Sequence, residues 1–103
     1  MELIVLVKRW FDDVNGNTYH SVQFRYRGET YHSGRKYGYG TQYEQTFSDM
    51  EIKYCAKATL EEKAERLLLF SEPRYIVIDN CSKEELDKNA FVGTKTIYLS
   101  EVN

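Results

Sequence analysis

The stretch Asn15–Tyr43 constrains the fold more than any other part of this 103-residue chain. It begins with Asn15-Gly16, the strongest two-residue signal for a β-hairpin turn. The residues that follow, Thr18–Tyr26, alternate between apolar and polar side chains, as in a strand with one buried face. Arg27-Gly28 predicts a second hairpin turn and therefore a third strand. These signals predict an antiparallel meander in which Thr18–Tyr26 is the middle strand.

The first strand, Glu2–Phe11, is predicted from its run of β-favouring apolar residues. With Asn15-Gly16 as a two-residue loop, the register places Val7 opposite Phe24. The second turn places Tyr31 of the third strand opposite the same Phe24. All these apolar side chains then lie on one face, so the turns and the alternation predict the same buried side of the sheet.

Three capping-box patterns predict where helices begin, because a Thr or Ser followed three residues later by Glu satisfies free backbone amides. The predicted helices start at about residues 42 and 60, and a short one runs from Ser82 to about Lys88. Residues 51–55 fit either the end of the first helix or a short strand. The buried stripe of the first helix is predicted to be Tyr43, Phe47, Met50 and Tyr54, and that of the second Leu60, Ala64, Leu67 and Leu68.

Two more strands, Tyr75–Ile78 and Lys95–Ser100, complete the predicted elements. The predicted fold class is α+β: an antiparallel β-meander of three N-terminal strands packed by two helices, with two further C-terminal strands and a short helix. Residues 1–103 are expected to form a single domain. The apolar run Leu3–Val7 is too short for a secretory signal, so we expect a cytoplasmic protein without a membrane partner.

A candidate ligand site precedes the first helix. Gly38 and Gly40 would let the backbone approach a ligand, and the free amides of a helix start favour an anion. Neighbouring basic residues add positive charge, and neighbouring tyrosines could stack on a base. The same loop also fits a sharp turn whose tyrosines pack on the sheet. The candidate ligand-binding residues are Arg35, Lys36, Tyr37, Gly38, Tyr39, Gly40 and Thr41.

A candidate protein-binding surface lies on the sheet face opposite Val22 and Phe24. Tyrosine, tryptophan and arginine are enriched at protein interfaces, and several of them are expected on this face. The candidate residues are Lys8, Trp10, Tyr19, Gln23 and Arg25. Alternatively, a helix of the same chain could cover Trp10 and make it part of the core.

Catalytic and metal-binding chemistry receives little support from the sequence. The register directs His20 and His32 to opposite faces, so a shared metal site is not expected. Cys55 and Cys81 are too isolated for a metal-ligand pattern, and no cofactor is predicted. No nucleophile elbow, phosphate-binding loop or zincin helix is present. A small hydrolase that uses His20 is the weakest alternative, and the chain is more consistent with a protein that is not an enzyme.

Segments of the first half of the chain resemble a group of small, phage-encoded accessory proteins. The segments are Arg9-Trp10-Phe11, Asn15–Val22 (NGNTYHSV) and Tyr37–Tyr43 (YGYGTQY). Proteins of that group share a hairpin reading GNTYHSV and a YGYGxQY loop that leads into a helix. The resemblance implies no catalytic residues.

The resemblance implies a phage or prophage accessory protein that binds a host component in the host cytoplasm. The leading expectation is a stoichiometric inhibitor of a host defence system, of anti-CRISPR or related anti-defence type. The alternative is a nucleotide- or nucleic-acid-binding protein that uses the Gly38–Gly40 loop and the adjacent helix start.

Overall fold

The computed structural model describes residues 3–55 and 59–98, without the side chains of Tyr54, Cys55 and Leu67. The predicted α+β class is confirmed. The helix that begins at Gln42 continues through residues 51–55, so the alternative of a short strand there is wrong. The elements are β1 (Ile4–Asp12), β2 (Asn17–Tyr26), β3 (Glu29–His32), β4 (Lys36–Tyr37), α1 (Gln42–Cys55), α2 (Leu60–Phe70), β5 (Arg74–Ile78), a 3₁₀ helix (Glu84–Asp87) and β6 (Lys95–Tyr98).

The described strands form one mixed sheet in the order β5-β1-β2-β3-β6, and β4 also pairs with β2. Strands β1, β2 and β3 form the predicted antiparallel meander. The two C-terminal strands β5 and β6 add to its edges in parallel orientation, beside β1 and β3. Parallel neighbours require long connections, and here the chain passes through α1 and α2 before β5 forms.

The register of the first hairpin differs from the prediction by two residues. Val7 lies opposite Val22 instead of Phe24. The loop contains four residues, because the Gly16 amide donates to the carbonyl oxygen of Asp12 at 2.8 Å. The Asp12 carboxylate also accepts hydrogen bonds from the amides two and three residues further on. A shift of two residues keeps every side chain on its predicted face, so the buried side of the sheet is as expected.

The core lies between the inner face of the sheet and the two helices. Phe24 is fully buried at its centre, and its ring centroid lies 5.3–5.6 Å from those of three other aromatic residues, Tyr31, Phe47 and Phe70. Met50 of α1 is also fully buried. The buried hydrophobic side chains of the described core are Leu3, Val5, Val7, Val22, Phe24, Tyr26, Phe47, Met50, Leu69 and Phe70.

Helix α2 begins as predicted but faces the core with a different side. The Thr59 hydroxyl accepts a hydrogen bond from the amide three residues on, at 3.2 Å. Arg66, Leu69 and Phe70 are the buried residues of this helix side. The Phe70 ring packs into the aromatic cluster around Phe24. Leu60, Ala64 and Leu68 were predicted to be buried but are exposed, so this part of the prediction is wrong. The side chain of Leu67, the fourth predicted residue, is not among those that the structure describes.

The outer face of the sheet is crossed by the cover segment, which we define as residues 82–94. The Lys8 ammonium donates a hydrogen bond to the carbonyl oxygen of Glu85 at 3.1 Å. The Gln23 side chain donates to the carbonyl oxygen of Lys88 at 3.1 Å and accepts from the Ala90 amide at 2.9 Å. The centre of this face is thus covered by the chain itself. Among the described residues, no helix combines the length and apolar character needed to cross a membrane.

Candidate functional site

The predicted ligand loop is partly a strand. Lys36 and Tyr37 form β4 and pair with His20 and Tyr19 of β2. The Gly38 amide continues this pairing by donating to a carbonyl oxygen of β2 at 3.0 Å. The backbone of residues 36–38 is therefore hydrogen-bonded to the sheet.

Gly38 permits close packing within the chain. A Cβ atom at this position would lie 2.8 Å from Cβ of Gln42 and 3.2 Å from Cε1 of His20. Its φ of +152° is also rarely adopted by residues with a side chain. By contrast, Gly40 has a φ of +61° and open space around it. Glycine is thus favoured at position 38 because the backbone there packs closely against α1 and the His20 ring.

Replacing Gly38 with alanine is expected to lower the free energy of unfolding by about 1–3 kcal/mol, because the new methyl group overpacks the contact with α1. Gly40→Asn serves as the control, since asparagine tolerates positive φ and the site has room. Urea titration of both variants measures the difference. Equal stability of the two variants would contradict the packing role.

The amides at the start of α1 are partly used within the turn. The Gln42 amide donates to the carbonyl oxygen of Tyr39 at 3.2 Å. The amide of residue 44 donates to the carbonyl oxygen of Thr41 at 2.9 Å. Arg35 forms an ion pair with Asp87 at 2.8 Å. These contacts reduce the positive potential that the sequence predicted for the loop, although Lys36 and both tyrosines remain exposed.

His20 is buried between the loop and α1. Its Nδ1 lies 3.2 Å from the carbonyl oxygen of Gly38, and its Nε2 lies 2.6 Å from Oγ1 of Thr46. A carbonyl oxygen only accepts, so Nδ1 carries the proton and Nε2 accepts from the threonine hydroxyl. Burial lowers the pKa of His20, and the charges of Lys36 and Arg9 lower it further. A hydrolase based on His20 would require substrate to reach a ring whose two nitrogens both contact the chain itself.

His32 lies on the opposite face, which confirms the prediction that the two histidines point away from each other. Its Nδ1 accepts a hydrogen bond from the Gly34 amide at 2.9 Å, so the proton resides on Nε2. Burial lowers the pKa of His32. Within residues 3–55 and 59–98, no three His, Cys, Asp or Glu side chains come together as a metal site would require.

A hollow of about 400 Å³ lies beside the loop. At its base the Arg9 guanidinium forms an ion pair with Asp79 and donates to the carbonyl oxygen of Gly40 at 3.0 Å. Phe11 and Tyr39 flank it and are 57% and 69% exposed. The parallel pairing of β1 with β5 brings these groups together, so no local sequence signal predicted the hollow. Its lining is Arg9, Phe11, Thr18, Tyr39, Gly40, Asp79 and Asn80.

Three aromatic rings from adjacent strands form a row on the outer face, which we call the aromatic row: Trp10, Tyr19 and Tyr37. The first two rings are stacked with centroids 5.3 Å apart, and the last two meet edge to face at 5.6 Å. Tyr37 is 61% exposed, and the other two are half-buried. The Lys83 ammonium lies 6.0 Å from the Trp10 ring. Trp10 is therefore neither a core residue nor fully exposed.

The structure separates the five predicted protein-binding residues into three groups. Lys8 and Gln23 are buried under the cover segment and contribute to the fold, so their prediction as surface residues is wrong. Trp10 and Tyr19 belong to the aromatic row. Arg25 lies at the far end of β2, on the rim of a separate groove of about 450 Å³.

Comparison of the chain with protein-family models, with curated protein sequences and with solved structures finds no match.

Proposed function

We propose that this protein acts without catalysis, by binding another protein through the aromatic row. The observation that supports the proposal is the row itself: three contacting rings on three neighbouring strands. The row lies beside the cover segment, whose Lys83 approaches the Trp10 ring, and Tyr37 is its most exposed member. Aromatic side chains provide large contact areas at low entropic cost, and tyrosine and tryptophan are enriched among residues that dominate binding energies.

The partner that we propose is a component of a host defence system, which the protein would inhibit stoichiometrically in an anti-CRISPR or related manner. The resemblance of the NGNTYHSV and YGYGTQY segments to phage-encoded accessory proteins supports this choice of partner. Those two segments supply Tyr19 and Tyr37, and the third segment that carries the resemblance, Arg9-Trp10-Phe11, supplies Trp10.

A second candidate function is nucleotide or nucleic-acid binding beside the Gly38–Gly40 loop. The hollow between Phe11 and Tyr39 favours it, because exposed aromatic rings stack on bases of any sequence. In this case Thr18 and Asn80 would offer hydrogen-bonding groups to the edge of the base. The base would then contact the hollow, and not the buried Gly38.

Alanine variants of two exposed tyrosines, Tyr37 and Tyr39, distinguish the two candidate functions. In host cells that carry an RNA-guided nuclease, the native chain is expected to restore plating of a phage that the nuclease targets. Tyr37→Ala is expected to weaken binding of the purified nuclease about thirtyfold, since truncating a dominant aromatic contact costs about 2 kcal/mol. Tyr39→Ala, the matched control outside the row, should bind like the native chain. Both variants should melt like the native protein.

The reverse pattern would favour the second candidate. If Tyr39→Ala removes bound material that absorbs at nucleotide wavelengths while Tyr37→Ala retains it, the hollow is the functional site. If the native chain neither restores plating nor co-elutes with the nuclease, inhibition of that defence system is contradicted.

A further inference from the structure

Two nitrogen atoms of the Arg66 guanidinium, Nε and Nη1, are buried without a hydrogen-bond partner among the described residues. Arg66 belongs to the buried side of α2 and is only 7% exposed. A guanidinium keeps its positive charge in a protein, and a buried charge without a partner destabilises the fold. Arg66 therefore offers donors and a charge that the described residues do not use.

The Tyr26 side chain places another unpartnered donor beside Arg66. Its ring centroid lies 5.1 Å from Cζ of Arg66 and 5.6 Å from Cζ of Arg27. The Tyr26 hydroxyl is buried and completes no hydrogen bond within the described ranges. Two guanidinium groups and one hydroxyl thus meet at the end of β2, and all three can donate hydrogen bonds to an oxyanion.

The nearby carboxylates offset the charge of Arg66 only in part. Glu65 forms its ion pair with Arg27, whose hydrogen bond is the main cause of the lowered pKa of the Glu65 carboxyl. The Tyr26 hydroxyl and the charge of Arg66 contribute less to that shift. Glu29 accepts a hydrogen bond from a tyrosine of β3 at 3.5 Å. None of the ion pairs between described residues includes Arg66.

Tyr26 also lines the groove of about 450 Å³ at this end of the sheet. The charged residues of the lining are Arg25, Arg27 and Glu65, so positive charge exceeds negative charge by one. Arg66, beside Tyr26, adds a further positive charge. The apolar residues of the lining are Leu3, Ile4, Leu69 and Phe91. An apolar lining with excess positive charge is complementary to a molecule that combines a hydrocarbon part with an anionic group.

We propose that this groove binds a small aliphatic carboxylate. Its hydrocarbon chain would contact the apolar lining, and its carboxylate would accept hydrogen bonds from Arg66 and from the Tyr26 hydroxyl. The planar fork of arginine matches the two oxygens of a carboxylate. The half-exposed Arg27–Glu65 pair at the groove would shift to admit the ligand, at small cost because exposed ion pairs are weak.

This site is independent of the aromatic row. Tyr26 lies at the C-terminal end of β2, whereas Tyr19 of the row lies near its N-terminal end. Failure of either proposal therefore leaves the other unaffected.

Titration with sodium hexanoate, followed by two-dimensional NMR, tests the groove. The native chain should bind hexanoate with a Kd of about 1 mM, so that about 10 mM hexanoate lowers the unfolding constant about elevenfold. Acetate has the charge without the chain, and 1-hexanol has the chain without the charge. Each should bind at least about tenfold more weakly, because each lacks one of the two contributions.

Arg66→Met tests the arginine directly, because methionine keeps an unbranched apolar side chain without the charge. The variant should bind hexanoate at least about tenfold more weakly. Without ligand its unfolding constant should not exceed that of the native chain, since an unpaired buried charge is not stabilising. Lys63→Met, the matched control, removes an exposed positive charge from the same helix and should bind like the native chain.

A double-mutant cycle of Arg66→Met and Glu29→Gln distinguishes ligand binding from a structural ion pair. The effects of the two changes on the unfolding constant should multiply. A coupling of about tenfold or more, or an Arg66→Met chain that does not fold, would assign Arg66 to a structural pair and overturn the proposal. It is equally overturned if the native chain does not bind hexanoate, if it binds 1-hexanol or acetate as tightly, or if Arg66→Met retains native affinity for hexanoate.

Discussion

Replacing Phe24 with alanine is expected to lower the free energy of unfolding by about 3–5 kcal/mol, the largest single effect that we predict. The ring is fully buried and its centroid lies within 6 Å of those of Tyr31, Phe47 and Phe70. Those partners come from β3, α1 and α2, so the cavity would open where the sheet and both helices meet. The surrounding rings are held by three separate elements, and this limits their collapse into the space.

Phe11→Ala provides the matched control, because Phe11 lies in β1 and is largely exposed. Its removal should change stability by about 0.5 kcal/mol or less, as is usual at surface positions. Urea titration of both variants gives the comparison. A loss of about 1 kcal/mol or less in Phe24→Ala would contradict an aromatic core centred on this residue.

Acidification from pH 7 to pH 5 is expected to lower stability, by at most about 4 kcal/mol, through the two buried histidines. The pKa values of His20 and His32 are both lowered, chiefly by burial. An unfolded histidine has a pKa of about 6.5, so below that pH the unfolded chain binds more protons than the folded one. Stability is therefore fully present above pH 6.5 and decreases as the pH falls toward the folded pKa values. Each histidine contributes a slope of up to about 1.4 kcal/mol per pH unit.

Local contacts explain the cost of protonation at His32 in particular. Nδ1 accepts the Gly34 amide hydrogen, so a proton added there would break this bond and leave a charge beneath the cover segment.

The pKa of the Glu51 carboxyl is raised by burial, and its protonation would favour the folded state. Carboxylates such as Asp79, whose pKa is lowered by Arg9, lose their contribution only at lower pH. The loss between pH 7 and pH 5 is therefore assigned to the histidines.

Urea titrations at several pH values measure this dependence, and His20→Gln and His32→Gln should each reduce its slope by about half. Proton NMR of the native imidazoles supplies a second measurement that does not depend on variants. Both rings should become protonated at a lower pH than an unfolded histidine does. A stability that is constant from pH 7 to pH 5 would contradict the prediction.

Much of the fold could be predicted because it depends on short-range patterns. The alternation in Thr18–Tyr26 indicated the buried face, and turn residues located both hairpins. Side chains alternate with a period of two, so the two-residue error in the first register left Val7 and Phe24 on the correct face. The error itself arose because hydrogen bonds from Asp12 stabilise a longer loop than Asn15-Gly16 indicates.

The candidate site was less predictable because its contacts join distant parts of the chain. Gly38 was interpreted as a ligand contact, yet its space is taken by Gln42 and His20. Lys8 and Gln23 were interpreted as surface residues, because no pattern indicates that residues 82–94 return across the outer face. Tyr37 was assigned to the ligand loop, and the pairing of β4 places it in the aromatic row.

The sequence by itself determined five of the six described strands, the positions of the two hairpins, the inner face of the sheet and the opposite directions of the two histidines. Each of these depends on the alternation of side chains along neighbouring residues and on turn chemistry. Only the tertiary structure decided which side of α2 faces the core and which parts of the outer face remain open. An amphipathic helix can turn either of two partly apolar sides inward, and the choice depends on the space around Phe24. Here Phe70 fills that space, so Leu60 and Leu68 remain outside.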